Sequence, residues 1–175
     1  MPRTMHRLLF VTGASGVGKT STLRLFEQRC PGILVRYFDG VVPPLEAMTK
    51  EYGSAEEWQR QTTVEWVARI KTEALSRAPV VLDGQARRAF VEEACGLAGL
   101  TDYRIILFDC EDSVRELRLI GRGQPELANS QMANWARYLR TQASMRGDPI
   151  IDTTRLTVKD AVNKLVALLS RFAGA

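Results

Sequence analysis

Three cysteines and one histidine in 175 residues leave little material for a disulfide framework, a metal cluster or a histidine phospho-relay. Cys30, Cys95 and Cys110 are odd in number, scattered and without ligand spacing, so each reads as a small buried hydrophobe in a reducing compartment. His6 stands alone before the first apolar segment and has no second histidine to pair with. No apolar run approaches the length of a membrane span. The short apolar patch in MPRTMHRLLFVTG runs into a glycine loop instead of a small-residue cleavage site, which sets the expectation of a cytoplasmic protein with no signal segment and no membrane partner. Repeats, low-complexity tracts and dividing linkers are also missing. At 45% hydrophobic and 25% charged residues, 1–175 reads as a single globular domain able to bury its own core. Lysine is scarce too, with five residues against 19 arginines in a chain of net charge +4. A guanidinium fork grips phosphate or carboxylate in bidentate fashion, so the arginine excess suits anionic ligands, and base-compositional bias accounts for it equally well.

What is present is alternation. Short apolar segments at 7–12, 33–39, 79–84, 103–109 and 148–152 have the unbroken hydrophobicity of strands covered on both faces. Helical patterns fall between them at 19–30, 55–77, 86–98, 112–121, 130–145 and 157–172, and the VVPPLEAM stretch turns helical after its prolines. Ser54 with Glu57, and Thr157 with Asp160, have the spacing of capping boxes. The pattern predicts an α/β fold with a five-stranded parallel sheet flanked by helices in three layers, and ligands bound beyond the carboxyl ends of the strands.

The first such end is the most informative. GASGVGKT places Gly13, Gly18, Lys19 and Thr20 in the spacing G-x-x-x-x-G-K-[ST], between a predicted strand and a predicted helix. Glycines let the backbone wrap closely and turn its N–H groups inward, and the helix that follows starts with its positive dipole end at the same point. Residues 13–21 (Gly13, Ala14, Ser15, Gly16, Val17, Gly18, Lys19, Thr20 and Ser21) therefore read as a cradle for the phosphates of a nucleotide. In it Lys19 reaches the β- and γ-phosphates, and the Thr20 hydroxyl is offered to Mg2+.

With these features the sequence resembles the P-loop kinases of the nucleoside and nucleotide kinase-like group, including shikimate, gluconate and chloramphenicol phosphotransferases. The resemblance follows the order and spacing of the whole chain, although only the phosphate loop is a specific motif. It implies a P-loop NTPase fold and an ATP- and Mg2+-dependent transfer to a small-molecule or nucleotide acceptor. It also assigns Asp39, at the end of the second strand, to the acceptor hydroxyl as general base; the alternative is a turn aspartate before Gly40. Asp83 ends the third strand and holds the metal or serves as the base, two roles the sequence does not separate. Gln85, Arg87 and Arg88 follow on the same edge as candidates for the acceptor, against a solvated first helical turn.

Arg118 and Arg122 lie four apart on one helix face and match the lid entrance of these kinases, where arginines neutralise charge on the transferred group. The resemblance implies a lid over about 118–130, marked by Gly121, Gly123 and Pro125; the alternative is an ordinary exposed basic helix face. Arg115 joins them or pairs with Glu111 or Glu116, and one of Arg137, Arg140 and Arg146 is a further candidate for phosphate. The backbone from Thr153 to Leu156 would border adenine, unless Asp152 and Thr153 only prepare the last helix. Trp58, Thr62, Trp66 and Ile70 form a helix stripe read as core, and Trp135 is read the same way. Two rival functions stay open. One is a nucleotide switch or acceptor-free ATPase, although no N-K-x-D guanine motif is present; the other is a polynucleotide 5′-hydroxyl kinase with nucleic acid as partner.

Overall fold

The structure, a computed structural model, describes residues 7–38, 43–75 and 77–172. Five strands run parallel in one sheet: β1 (Leu8–Thr12), β2 (Leu34–Tyr37), β3 (Val80–Asp83), β4 (Tyr103–Asp109) and β5 (Ile150–Asp152), in spatial order β2-β3-β1-β4-β5. The helices between them are α1 (Lys19–Arg29), α2 (Leu45–Tyr52), α3 (Ala55–Glu73), α4 (Arg88–Leu97), α5 (Asp112–Gly121), α6 (Ser130–Arg146) and α7 (Val158–Phe172). A short 3-10 turn, Pro125–Leu127, joins α5 to α6. The expected α/β architecture with five parallel strands is the one observed. Among the described residues, no helix is long and apolar enough to cross a membrane.

Strand alternation sorts the core into two faces. Leu9, Val11, Val81, Ile106 and Phe108 point to the side covered by Leu23 and Phe26 of α1 and by Val162, Leu165 and Leu169 of α7. Leu8, Phe10, Val80, Leu82 and Ile105 point to the other, where Val67 and Ile70 of α3 and Val91, Ala94 and Cys95 of α4 cover them. Leu139 and Ala143 of α6 continue that second layer over Leu107. Each fully buried large aliphatic or aromatic side chain contributes about 1.5–3 kcal/mol, so the sheet that carries the loops is a rigid mount. The Cys95 thiol belongs to this core. Burial pushes it up to about 12, which keeps it protonated and unreactive at neutral pH.

The element boundaries shift where side chains intervene. The predicted helix 86–98 begins only at Arg88, because the Thr12 hydroxyl donates to the Ala86 carbonyl (3.2 Å) and accepts from the Ala86 amide (3.4 Å), holding that residue against β1. The predicted helix 55–77 ends at Glu73, short of Pro79, whose ring disfavours helix in the residue before it. Both N-caps form, the Glu57 amide donating to Ser54 Oγ (3.1 Å) and the Asp160 amide to Thr157 Oγ1 (3.1 Å). The Thr157 amide returns a bond to Asp160 Oδ2 (3.4 Å) to complete a capping box, whereas the Glu57 carboxylate is taken up by Arg60 and Gln61. Phe38 packs against Trp58 and Trp66 at centroid distances of 6.3 and 5.9 Å, so the tryptophan stripe serves the core as expected.

Candidate functional site

The glycine loop leaves the end of β1, the middle strand, and enters α1 at Lys19. Gly13 has φ +154°, and a Cβ there would lie 2.4 Å from the backbone carbonyl oxygen of Phe108 in β4, which cannot move aside. Gly16, at φ +89°, would drive a Cβ to 2.8 Å from Arg115 Cγ. The loop can therefore follow this path only with glycine at both positions. Replacing Gly13 with alanine is expected to destabilise the fold by about 2 kcal/mol, seen in a denaturation scan as a midpoint lowered by roughly 4–8 °C.

Below the loop lies Arg115, 1% exposed, with Nη1 2.7 Å from Asp112 Oδ1. That hydrogen bond is the first cause of the lowered Asp112 pKa. Arg115 thus neither joins the lid nor pairs with Glu111 or Glu116. Its aliphatic stem is the floor on which Gly16 rests.

Helix α1 starts without a side-chain cap and without an acidic residue in its first turn, so its leading N–H groups face the loop's interior without a built-in anion. Lys19, 6% exposed, folds back so that Nζ donates to the Gly13 carbonyl at 2.6 Å, closing the loop into a ring. The ring encloses a cavity of about 80 Å³, walled by Ala14, Ser15, Gly16, Gly18, Lys19, Thr20 and Ser21 together with Gln85 and Arg122. Thr20 Oγ1 lies 3.3 Å from Asp83 Oδ2, at the end of β3, so a hydroxyl and a carboxylate converge at the mouth of the loop. These are hard oxygen donors of the kind magnesium takes, two protein oxygens with the remainder left to water and phosphate. In keeping with that division, no group of three or more His, Cys, Asp or Glu among the described residues is placed to hold a metal ion.

A second cavity, of about 230 Å³, adjoins the first and shares Gly16, Gly18, Ser21 and Arg122 with it. Its remaining walls come from Thr22, Arg118, Thr153, Leu156, Thr157, Val158 and Ala161. Thr153 Oγ1 donates to the Val17 carbonyl (2.7 Å), and Arg118 donates to both Thr153 Oγ1 (3.0 Å) and the Thr153 carbonyl (2.8 Å). Thr153 is therefore a tie between the loop, α5 and the β5–α7 turn, and the cap of α7 is Thr157 with Asp160.

The other expected site residues divide. Gln85 lines the smaller cavity and donates from Nε2 to Ser15 Oγ (3.0 Å). Arg87 stands beside it, with Nη1 donating to Gln59 Oε1 (3.0 Å) and Nη2 3.1 Å from Glu56 Oε2. Arg88 lines neither cavity of the loop: its guanidinium is engaged by Glu92 at 3.0 Å and by Asp148, an ion pair that fastens the start of α4 to the approach to β5. Arg140 is likewise taken up by Asp109, with Nη2 donating to Oδ1 at 3.1 Å, and Arg137 donates to Asn134. Neither they nor the exposed Arg146 line the smaller cavity. Tyr37 of β2 pairs in register with Asp83 of β3, aligning the ends of those strands. Asp39 lies outside the described residues. Sequence reading missed Trp135, whose indole Nε1 donates to Gln85 Oε1 at 3.1 Å, because nothing local links residues 50 positions apart.

No protein-family model matches the chain, and no curated protein matches it in sequence. Solved structures do. A gluconokinase from Sinorhizobium meliloti superposes with a TM-score of 0.66 over 98% of this chain and 96% of its own, at 20% identity. A shikimate kinase from Bacteroides thetaiotaomicron gives 0.62 at 16% identity (93% and 98% covered), and one from Acinetobacter baumannii gives 0.59 at 15% (97% and 95%). The chain shares the fold of these kinases, over essentially the full length of this chain and of theirs.

Proposed function

We propose that this chain is a kinase that transfers the terminal phosphoryl group of a nucleoside triphosphate, ATP in our reading, to a small acceptor. The observation that carries the reading is the convergence at one cradle of the Lys19 ammonium, the uncapped start of α1 and the Thr20–Asp83 oxygen pair, 3.3 Å apart. A site that only needed an anion would have no use for the carboxylate. A hydroxyl beside a carboxylate is what an ion-assisted phosphoryl transfer uses. Thr20 and Asp83 would hold magnesium, which when bound supplies positive charge against the β- and γ-phosphoryl oxygens.

The chain's own residues do the rest by position and charge. Loop amides and Lys19 hold the phosphates in the small cavity, and the base lies in the larger one against Leu156 and Val158. Arg122, on the wall of both, meets charge on the transferred group, and Arg118, held to Thr153 at the larger cavity, would join it as 118–130 closes as the lid over a single catalytic domain. The acceptor oxygen forms its bond to the terminal phosphorus as the bond to the bridging oxygen breaks, and its proton passes to Asp39 or Asp83. Gln85 and Arg87 face the acceptor side. The neighbours named above are a gluconokinase and shikimate kinases, one of them solved with shikimate, which supports a small-molecule acceptor. The test is ADP formation across a panel of hydroxyl and phosphate acceptors. Turnover that stays near zero until one acceptor is added supports transfer, and undiminished ATP consumption with water alone contradicts it.

A further inference from the structure

Hydrogen-bond chemistry fixes which way round the Gln85 carboxamide sits. An indole N–H can only donate, and that of Trp135 reaches Gln85 Oε1. The amide nitrogen is therefore on the opposite side, where it meets Ser15 Oγ of the glycine loop. An amide nitrogen has two hydrogens. Ser15 takes one, and the other belongs to a side chain that walls the phosphate cavity together with Lys19 and Arg122.

The mount of this amide extends into both helices on the acceptor side. Gln59 of α3 donates from Nε2 to the Gln85 carbonyl at 2.6 Å and accepts from Arg87 at its own Oε1. Arg87 in turn lies over the rings of Trp135 (5.2 Å) and Tyr138 (5.6 Å), which are stacked 5.5 Å apart on α6. Gln85 is gripped from α3 through its backbone and from α6 through its side chain.

We propose that Trp135 is a positioning residue that acts through Gln85, turning the free amide hydrogen toward the terminal phosphoryl group of a bound triphosphate. The inference rests on the kinase reading above and adds to it a specific sensor for the third phosphate. A diphosphate has no group at that point, so the Trp135–Gln85 pair should be indifferent to it.

The test is calorimetric titration of the parent, Trp135→Phe, Gln85→Ala and the double variant with the magnesium complexes of ADP and of the β,γ-imido analogue of ATP. Trp135→Phe keeps an aromatic ring against Tyr138 and loses the N–H donor together with the second ring of the indole, a packing loss that would weaken both nucleotides alike and that MgADP therefore controls for. It is expected to bind the imido triphosphate about 10-fold more weakly, and Gln85→Ala about 10- to 100-fold, as for one hydrogen bond to a charged group. Both should bind MgADP within about twofold of the parent, and the double variant should be no weaker than Gln85→Ala alone, since Trp135 works only through residue 85. Equal losses for both nucleotides in Trp135→Phe, additive losses in the double variant, or an unchanged triphosphate affinity would each overturn the proposal. A parent that binds neither nucleotide ends the kinase reading itself, whereas a parent that binds both beside an unaffected Trp135→Phe ends only the positioning role.

Discussion

Lys19→Ala is expected to lower phosphoryl transfer by about 10³-fold or more, the scale on which a preorganised charge at a reacting group acts. Its ammonium is 6% exposed and already committed to the loop through the Gly13 carbonyl. In the proposed reaction it would meet phosphate from a position already fixed in the loop, and no neighbouring lysine takes its place, since Lys50, Lys71, Lys159 and Lys164 line neither cavity of the loop. Lys19→Arg should not rescue: a planar guanidinium is larger and forks where the ring of about 80 Å³ needs a compact point charge. The fold should survive, with a midpoint within roughly 3 °C of the parent, because the sheet and its two apolar layers are untouched. Initial rates paired with a melting scan check both halves. Parent-like turnover in Lys19→Ala would remove the ammonium from the mechanism.

Asp83→Asn is expected to cost about 10²-fold or more in turnover and to raise the magnesium concentration needed for half-maximal activity. The substitution keeps shape and removes charge from the oxygen pair that Asp83 forms with Thr20. It also separates the two roles the sequence leaves open. A metal-holding Asp83 shifts the magnesium dependence, whereas an Asp83 that only takes the acceptor's proton lowers the maximal rate and leaves that dependence in place. Titrating magnesium at saturating ATP distinguishes the two, and the proximity of Thr20 Oγ1 leads us to expect the shift.

How much of this was legible in advance depends on how local each feature is. The glycine loop is nine consecutive residues whose backbone demands are written in their own side chains, so Gly13, Lys19 and Thr20 stand out from sequence alone. The strand-end position of Asp83 follows from the next level, the alternation of apolar segments that builds the parallel sheet. The arginines were harder. Arg115 lies three residues before Arg118, one turn away as Arg122 is four residues after it, yet it points under the loop and is buried against Gly16, a matter of tertiary packing. In sequence Arg88 resembles a ligand for the acceptor and Arg140 one for phosphate, and only the folded chain reveals Asp148 and Asp109 as their partners. Trp135 illustrates the limit. In sequence it is one apolar position on an amphipathic helix, and its indole gains meaning only because α6 packs across Leu107 and brings it to Gln85.

The central claim is that the loop closed by Lys19 holds the phosphates of a nucleoside triphosphate. Calorimetric titration of MgATP into the folded protein tests it most directly. The expected result is one site with a dissociation constant of about 1 mM or tighter, in the range where enzymes meet their substrates, lost in Lys19→Ala. An absence of heat in the parent at millimolar MgATP, with its circular dichroism that of a folded α/β chain, would contradict it.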